Sequence, residues 1–252
     1  MSQIIAVVNQ KGGVGKTTTS INLGAYLAHM GKFVLLIDMD PQANATSGLY
    51  QQKDQLQQGV YEVLIGETTF REVIVSTAIE GYRIAPATLS LAGAVIELVN
   101  VPQREYLLTN ALVEIRNDYD YILIDCPPSL GLLTINALVA ADEVLIPVQA
   151  EYYALEGLGQ LLNTINLVRE NIKPTLKVKG VVLTMFDQRN RLSEQVMEEI
   201  YKYFPNKVFR SVIPRNVRLA EAPSYAQTIS QYDPYSKGGK AYERLAREMV
   251  EQ

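Results

Sequence analysis

Eight residues, Lys11-Gly12-Gly13-Val14-Gly15-Lys16-Thr17-Thr18, carry the chemistry needed to hold a polyphosphate. Glycines let a loop take positive φ and close on an anion. Successive backbone N–H groups then point at phosphate oxygens, and a helix beginning near Lys16 adds the positive end of its dipole. Lys16 is long enough to reach β- and γ-phosphates, and the Thr17 hydroxyl can ligate Mg²⁺. The general phosphate-loop pattern has glycine where this chain has Gln10, and a second lysine, Lys11, opens the loop instead. This deviant Walker A form points beyond generic nucleotide binding.

Two acidic motifs supply the rest of such a site. Leu35-Leu36-Ile37-Asp38-Met39-Asp40-Pro41-Gln42 reads as an apolar strand ending in two carboxylates. Asp38, at the strand tip, can support a Mg²⁺ shell. Pro41 ends the strand and leaves Asp40 in the loop, where it can position or activate the attacking water. Tyr121-Ile122-Leu123-Ile124-Asp125 is a second strand ending in an acid, and Asp125 can meet Mg²⁺ directly or through water. Cys126-Pro127-Pro128-Ser129 then turns the chain, with Cys126 a small buried residue rather than a nucleophile.

The elements that must position these groups are legible as an alternation. Apolar runs predict strands near 3–9, 33–38, 82–85, 121–125, 143–148, 178–185 and 207–212. Helical patterns fall near 16–30, 102–117, 130–140, 156–171, 191–203 and 238–250, with Gly31 just past the first helix and Pro102 at the first position of the second. Alternating strands and helices with continuous Val/Ile/Leu runs predict an α/β fold: a doubly wound, mostly parallel sheet flanked by helices. Residues 49–80 fit the alternation poorly and predict short helices and loops. Ligands bind such sheets at the carboxyl ends of the strands.

Composition narrows the function class. The 252 residues are 48% hydrophobic, which supports a sizeable core, and no linker or repeat interrupts them, so a single domain over 1–252 is expected. The net charge of −4 argues against nucleic-acid binding by the whole surface, so any such binding needs a local basic patch. One cysteine and one histidine, His29, give no disulfide framework and no transition-metal site, and fit a reducing cytoplasm. No secretory signal pattern is visible, and the longest apolar candidate, Leu132 to Val148, is broken by Asn136, Asp142 and Glu143.

Together these residues resemble the ParA/Soj family of partition ATPases, P-loop NTPases of the wider group that includes MinD. The resemblance rests on Asn9 to Thr18, Asp38 to Gln42, Ile124 to Ser129, Pro147-Val148-Gln149-Ala150-Glu151 with Ala154-Leu155-Glu156-Gly157, Ile213-Pro214-Arg215-Asn216 and Glu221-Ala222-Pro223-Ser224. The chain begins almost at its first strand, which is similar to the short chromosomal type without an added N-terminal helix-turn-helix domain. The resemblance implies Mg-ATP as cofactor and a homodimer with nucleotides at the interface. Lys11 would cross to the partner's phosphates as an arginine finger does. Gly12 would lie where subunits meet, and Asp40 would support hydrolysis. Met185, Pro214 and Asn216 become candidates to hold adenine, and Glu151 to contact nucleotide across the interface.

It further implies that the ATP dimer binds double-stranded DNA without sequence preference. A ParB/Spo0J-like centromere-binding protein would accelerate a slow hydrolysis, and the setting would be cytoplasmic and nucleoid-associated. Arg189 and Arg218 are the candidate phosphate contacts, with Arg191, Lys202, Lys207, Arg210 and Arg215 available to extend the patch. The rival is a MinD-like membrane-associated ATPase, which needs a terminal amphipathic helix with a basic cluster. The stripe Tyr242, Leu245, Met249 and Val250 instead reads as core packing, because Glu243, Glu248 and Glu251 accompany it. An iron–sulfur reductase sharing the deviant loop needs two cysteines per subunit and is excluded by one.

Overall fold

Strands with no polar interior position must be covered on both faces, and that requirement organises the molecule. The computed structural model describes residues 2–52, 55–151, 154–187 and 189–251, without the side chains of residues 95, 154–156, 191 and 192. The strands are β1 (Gln3–Val7), β2 (Val34–Asp38), β3 (Val75–Ser76), β4 (Tyr82–Ala85), β5 (Tyr121–Asp125), β6 (Glu143–Gln149) and β7 (Lys177–Thr184). They form one sheet in the order β3-β4-β2-β5-β1-β6-β7. All neighbours are parallel except the two-residue β3, which pairs antiparallel with β4. β2 and β5 are buried at every position.

The helices are α1 (Lys16–His29), α2 (Asn44–Leu49), α3 (Val60–Leu64), α4 (Phe70–Val73), α5 (Leu91–Glu97), α6 (Leu107–Leu112), α7 (Leu132–Ala140), α8 (Ala154–Asn171), α9 (Arg191–Tyr203), α10 (Val217–Glu221), α11 (Ile229–Tyr232) and α12 (Lys237–Glu251). Alternate strand residues face opposite ways and build two cores. Ile5, Val7, Leu36 and Leu123 meet α1 and α12 on one side. Ile4, Leu35, Ile37, Ile122 and Ile124 meet α7, α8 and α9 on the other, together with the short helices of residues 60–112. α1 lies very close to the sheet: a Cβ on Gly24 would stand 2.5 Å from the Tyr82 ring. The Tyr82 hydroxyl donates to the Ser20 and Ile21 carbonyls from there.

The doubly wound, mostly parallel α/β architecture is as expected, with three local differences. Residues 207–212 do not form a strand. They touch β7 through an isolated bridge at Val208, with another bridge at Pro214, because Glu248 of α12 accepts the Arg210 and Ser211 N–H groups at 2.8 and 3.0 Å and withholds them from a ladder. The helix expected over 102–117 breaks into α6 with a 3-10 turn on either side. Asn136 of α7 causes this by accepting from Leu108 N–H at 3.1 Å and donating to the Arg104 carbonyl at 2.8 Å. Pro102 is therefore not a first helical residue; Gln103, with φ of 54°, follows it. β3 is the third difference, too short to register as a period.

Gly31 takes φ of 78° just past α1. His29, in the last turn of α1, bonds Ser230 through Nε2 at 2.9 Å and meets the Tyr26 ring edge-on. Tyr242, Leu245 and Met249 of α12 are buried against the α1 face of the sheet, whereas Val250, expected in the same stripe, is 41% exposed because it falls on the outer side of the helix. Among the described residues no helix is long and apolar enough to cross a membrane.

Candidate nucleotide and metal site

β1, β2, β5 and β6 end on the same side of the sheet, so the loops that follow them converge. The loop after β1 takes its shape from Gly13 and Gly15, at φ of 74° and 86°. It is anchored to two other strands. Asn9 donates from Nδ2 to the Pro147 carbonyl at 2.7 Å and accepts from Lys11 N–H at 3.0 Å. Thr184, at the end of β7, donates to the Val14 carbonyl at 2.7 Å. Sequence reasoning had no signal for Thr184, which lies 170 residues from its partner. Gly12 is exposed. It needs no positive φ, and a Cβ there would stand 3.9 Å from the nearest atom, in Pro128. Among the described residues nothing requires glycine at this position.

Lys16 is 6% exposed, and its ammonium donates to the Lys11 carbonyl at 3.1 Å across the mouth of the loop. Burial lowers its pKa, with Asp125, Cys126 and Asp40 opposing the shift. A buried cation with one neutral acceptor among the described residues is what an incoming phosphate would complete.

The two strand-tip acids are register partners, Asp38 opposite Asp125, and both are wholly buried. Asp125 accepts from the Thr17 hydroxyl at 2.7 Å and from the Ser20 hydroxyl at 2.8 Å. Asp38 accepts Thr46 N–H at 2.8 Å and the Thr46 hydroxyl at 2.7 Å on one oxygen, and Asp40 N–H at 3.2 Å on the other. Burial first, and the neighbouring carboxylates second, push the Asp125 pKa well up. Burial raises Asp38 as well, against the lowering effect of its Thr46 bonds. Such a pair fits a divalent cation: Thr17 hydroxyl and Asp125 carboxylate lie together, and added positive charge would relieve the repulsion. Among the described residues no three His, Cys, Asp or Glu side chains cluster to enclose a metal. That suits Mg²⁺, which keeps waters and takes oxygen from phosphate.

This arrangement has a measurable stability cost. Native-state pKa values raised above the unfolded value mean that the folded protein binds more protons. The favourable contribution is full below the unfolded carboxylate range, near pH 4, and is lost as pH rises through the raised values. Asp125→Asn is therefore expected to stabilise the nucleotide-free protein at pH 8, and to do so by less at pH 5. Thermal melts at the two pH values check this; an equal gain at both would contradict it.

The remaining candidates separate. Lys11 does not project free: its ammonium pairs with Glu151 of the same chain at 3.0 Å, the two side chains being 35% and 46% exposed. Arg215 lies 4.0 Å from the same carboxylate. Asp40 sits in the loop after β2, nearly buried, and accepts Gln42 N–H at 3.0 Å. Met185 follows β7 directly, and the next residue, Phe186, bridges Pro214, two residues before Asn216. Met185 takes φ of 50°, and the Asn216 side chain caps α10 by accepting Arg218 N–H at 2.8 Å. Arg189 is bound by two nitrogens to Asp187, and Arg218 pairs with Glu221 at 2.9 Å and Asp233 at 3.6 Å. Lys202 pairs with Glu199. The side chains of Arg191, Ala154, Leu155 and Glu156 lie outside the described residues.

Residues 2–178 match the family described as AAA domain. Over 250 residues the chain is 57% identical to the sporulation initiation inhibitor protein Soj of Bacillus subtilis (strain 168), with 99% of both chains covered. It is 52% identical over 250 residues to the chromosome partitioning protein ParA of Myxococcus xanthus, covering 99% of this chain and 88% of that one. Among solved structures, cobyrinic acid a,c-diamide synthase from Mycobacterium smegmatis with a bound ATP analogue and magnesium superposes with a TM-score of 0.89 at 38% identity, covering 99% of this chain and 94% of that chain.

Proposed function

The chain belongs to the Soj/ParA family of chromosome-partitioning ATPases, and from that premise we propose that it acts as one domain over 1–252 that binds Mg-ATP, dimerises and holds DNA until hydrolysis releases it. The observation that carries the reading is the pair of lysines on one phosphate loop. Lys16 is buried toward the loop's interior, while Lys11 stands half-exposed at the rim beside the exposed Gly12. A single subunit has one phosphate cradle to fill; the rim cation is suited to a second.

In the mechanism, backbone N–H groups of residues 12–18 and the Lys16 ammonium bind and orient the polyphosphate. Thr17, Asp125 and Asp38 would hold Mg²⁺, which when bound neutralises charge on the phosphate oxygens. Asp40 positions the attacking water. Lys11 leaves Glu151 and meets the partner's phosphates, where charge develops during transfer. Met185, Pro214 and Asn216 bracket the base, and Glu151 faces the interface. Two subunits present Arg189 and Arg218 twice over. Their exposed ion pairs are weak and exchange readily for DNA phosphates. A ParB-like partner accelerates an otherwise slow turnover, and the protein works in the cytoplasm at the nucleoid.

Membrane attachment through α12 is disfavoured because Tyr242, Leu245 and Met249 of its stripe are used in the core. Amide transfer through a thiol is disfavoured as well, since Cys126 is buried and burial raises its pKa.

DNA retention with ADP, with ATP, and with ATP on Asp40→Ala tests the proposal at two salt concentrations. Retention should require ATP and persist in Asp40→Ala, whose turnover falls about 10²-fold or more. With four arginine–phosphate contacts per dimer, doubling the salt should weaken binding about tenfold. Equal retention in all three nucleotide conditions would remove the switch from the reading.

A further inference from the structure

We propose that Thr46, outside every motif above, is the positioning residue that sets the loop carrying Asp40. Its hydroxyl is committed in both directions. It donates to Asp38 at 2.7 Å and accepts Ala87 N–H at 2.9 Å, and the side chain is 1% exposed. Because the oxygen accepts from Ala87, its single proton is directed to Asp38. Thr46 N–H reaches the same carboxylate oxygen at 2.8 Å.

The other Asp38 oxygen accepts Asp40 N–H, so one carboxylate ties both ends of residues 38–46 together. Between those ends, Asp40 accepts Gln42 N–H on its side chain and Ala43 N–H on its carbonyl at 2.8 Å. Ala43 precedes α2 with φ of 51° and has no side-chain acceptor for the first turn of the helix. Asp38 supplies that acceptor from eight residues upstream.

The anchor beneath Thr46 is firm on two sides. A Cβ on Gly48 would come within 2.8 Å of Ile21, so α2 rests directly on α1. Ala87 belongs to the segment after β4, whose Pro86 carbonyl accepts Val60 N–H at the start of α3 at 2.9 Å. The position of Asp40 is thus referred through Asp38 and Thr46 to two separate parts of the fold. A hydroxyl-free side chain of the same shape would leave Ala87 N–H buried without its acceptor and Asp38 with one donor fewer.

The inference rests on Asp40 serving hydrolysis, so Asp40→Ala is measured alongside Thr46→Val and Thr46→Ser. The readouts are ATP turnover, affinity for a fluorescent ATP analogue, and ATP-dependent DNA retention. Thr46→Val should lower kcat about 10²-fold, the scale of a misplacement near 1 Å, while ATP-analogue affinity moves by less than about twofold and DNA retention persists. Thr46→Ser, which keeps the hydroxyl, should restore kcat to within about threefold of the parent. A normal kcat in Thr46→Val beside an inactive Asp40→Ala would overturn the positioning role alone. Equal loss of nucleotide affinity and kcat in both Thr46 variants would also overturn it, reducing Thr46 to a packing residue. Normal turnover in Asp40→Ala would remove the role of Asp40 and the inference with it.

Discussion

Lys16→Ala is expected to abolish useful ATP binding while leaving the protein folded. The ammonium is buried, its pKa is lowered by that burial, and among the described residues its one hydrogen bond is to a carbonyl of its own loop. Anionic oxygens are the partners it lacks. Hydrogen bonds involving charged groups contribute about 1.5–3 kcal/mol each, so two such contacts to phosphate amount to about 3–6 kcal/mol. The dissociation constant should therefore rise about 10²- to 10⁴-fold. The loop itself should survive, because Asn9 and Thr184 hold it to β6 and to the end of β7 without Lys16. Calorimetric titration with Mg-ATP, beside a thermal melt, measures both halves. A folded variant with ATP affinity within about tenfold of the parent would mean that phosphate binds elsewhere.

Lys11→Ala should instead spare binding and remove turnover. A cation supplied to the transferring phosphoryl group contributes about 10³- to 10⁵-fold in rate. Its present partner is no obstacle: the Lys11–Glu151 pair is partly solvated on both sides, and such pairs hold by about 1 kcal/mol or less. The trans assignment can be separated from a cis one by mixing inactive variants. In a heterodimer of Lys11→Ala with Asp40→Ala, one site keeps its own Asp40 and receives Lys11 from the other subunit. Equal mixing with random pairing should then recover about a quarter of parental activity. If Lys11 acts on its own subunit's nucleotide, both sites remain defective and mixing recovers nothing.

What could be read from the sequence was local. The phosphate loop, the two strand-tip acids and the alternation of strands with helices are each written in a few consecutive residues, and each is where the pattern put it. What escaped were single side chains that act across long stretches of chain. Glu248 takes two N–H groups from residues 210 and 211, and an apolar run that reads as a strand becomes a pair of bridges. Asn136 intercepts Leu108 and Arg104, and one expected helix becomes three short pieces. Thr46 and Thr184 are polar residues in unremarked positions whose partners lie in segments that follow other strands. The Lys11–Glu151 pair spans 140 residues, and no spacing rule reaches that far. In each case a tertiary hydrogen bond or ion pair decides the outcome and local propensity does not.

The interrupted pairing beside β7 bears on what the molecule avoids. An open strand edge presents a row of unmet donors and acceptors that another chain can extend, which leads to aggregation. Here residues 207–213 lie along that edge without becoming a strand themselves, filling both Val181 backbone groups and the Leu183 carbonyl. Gly180 allows the approach, since a Cβ there would meet Phe209 at 2.7 Å and the Lys207 carbonyl at 2.8 Å. At the opposite margin β3 is two residues long and runs against the grain of the sheet. Neither border offers a template for fibrous growth. On the proposed reading of reversible pairing between copies, contact would then run through side chains and ligand rather than by endless backbone addition.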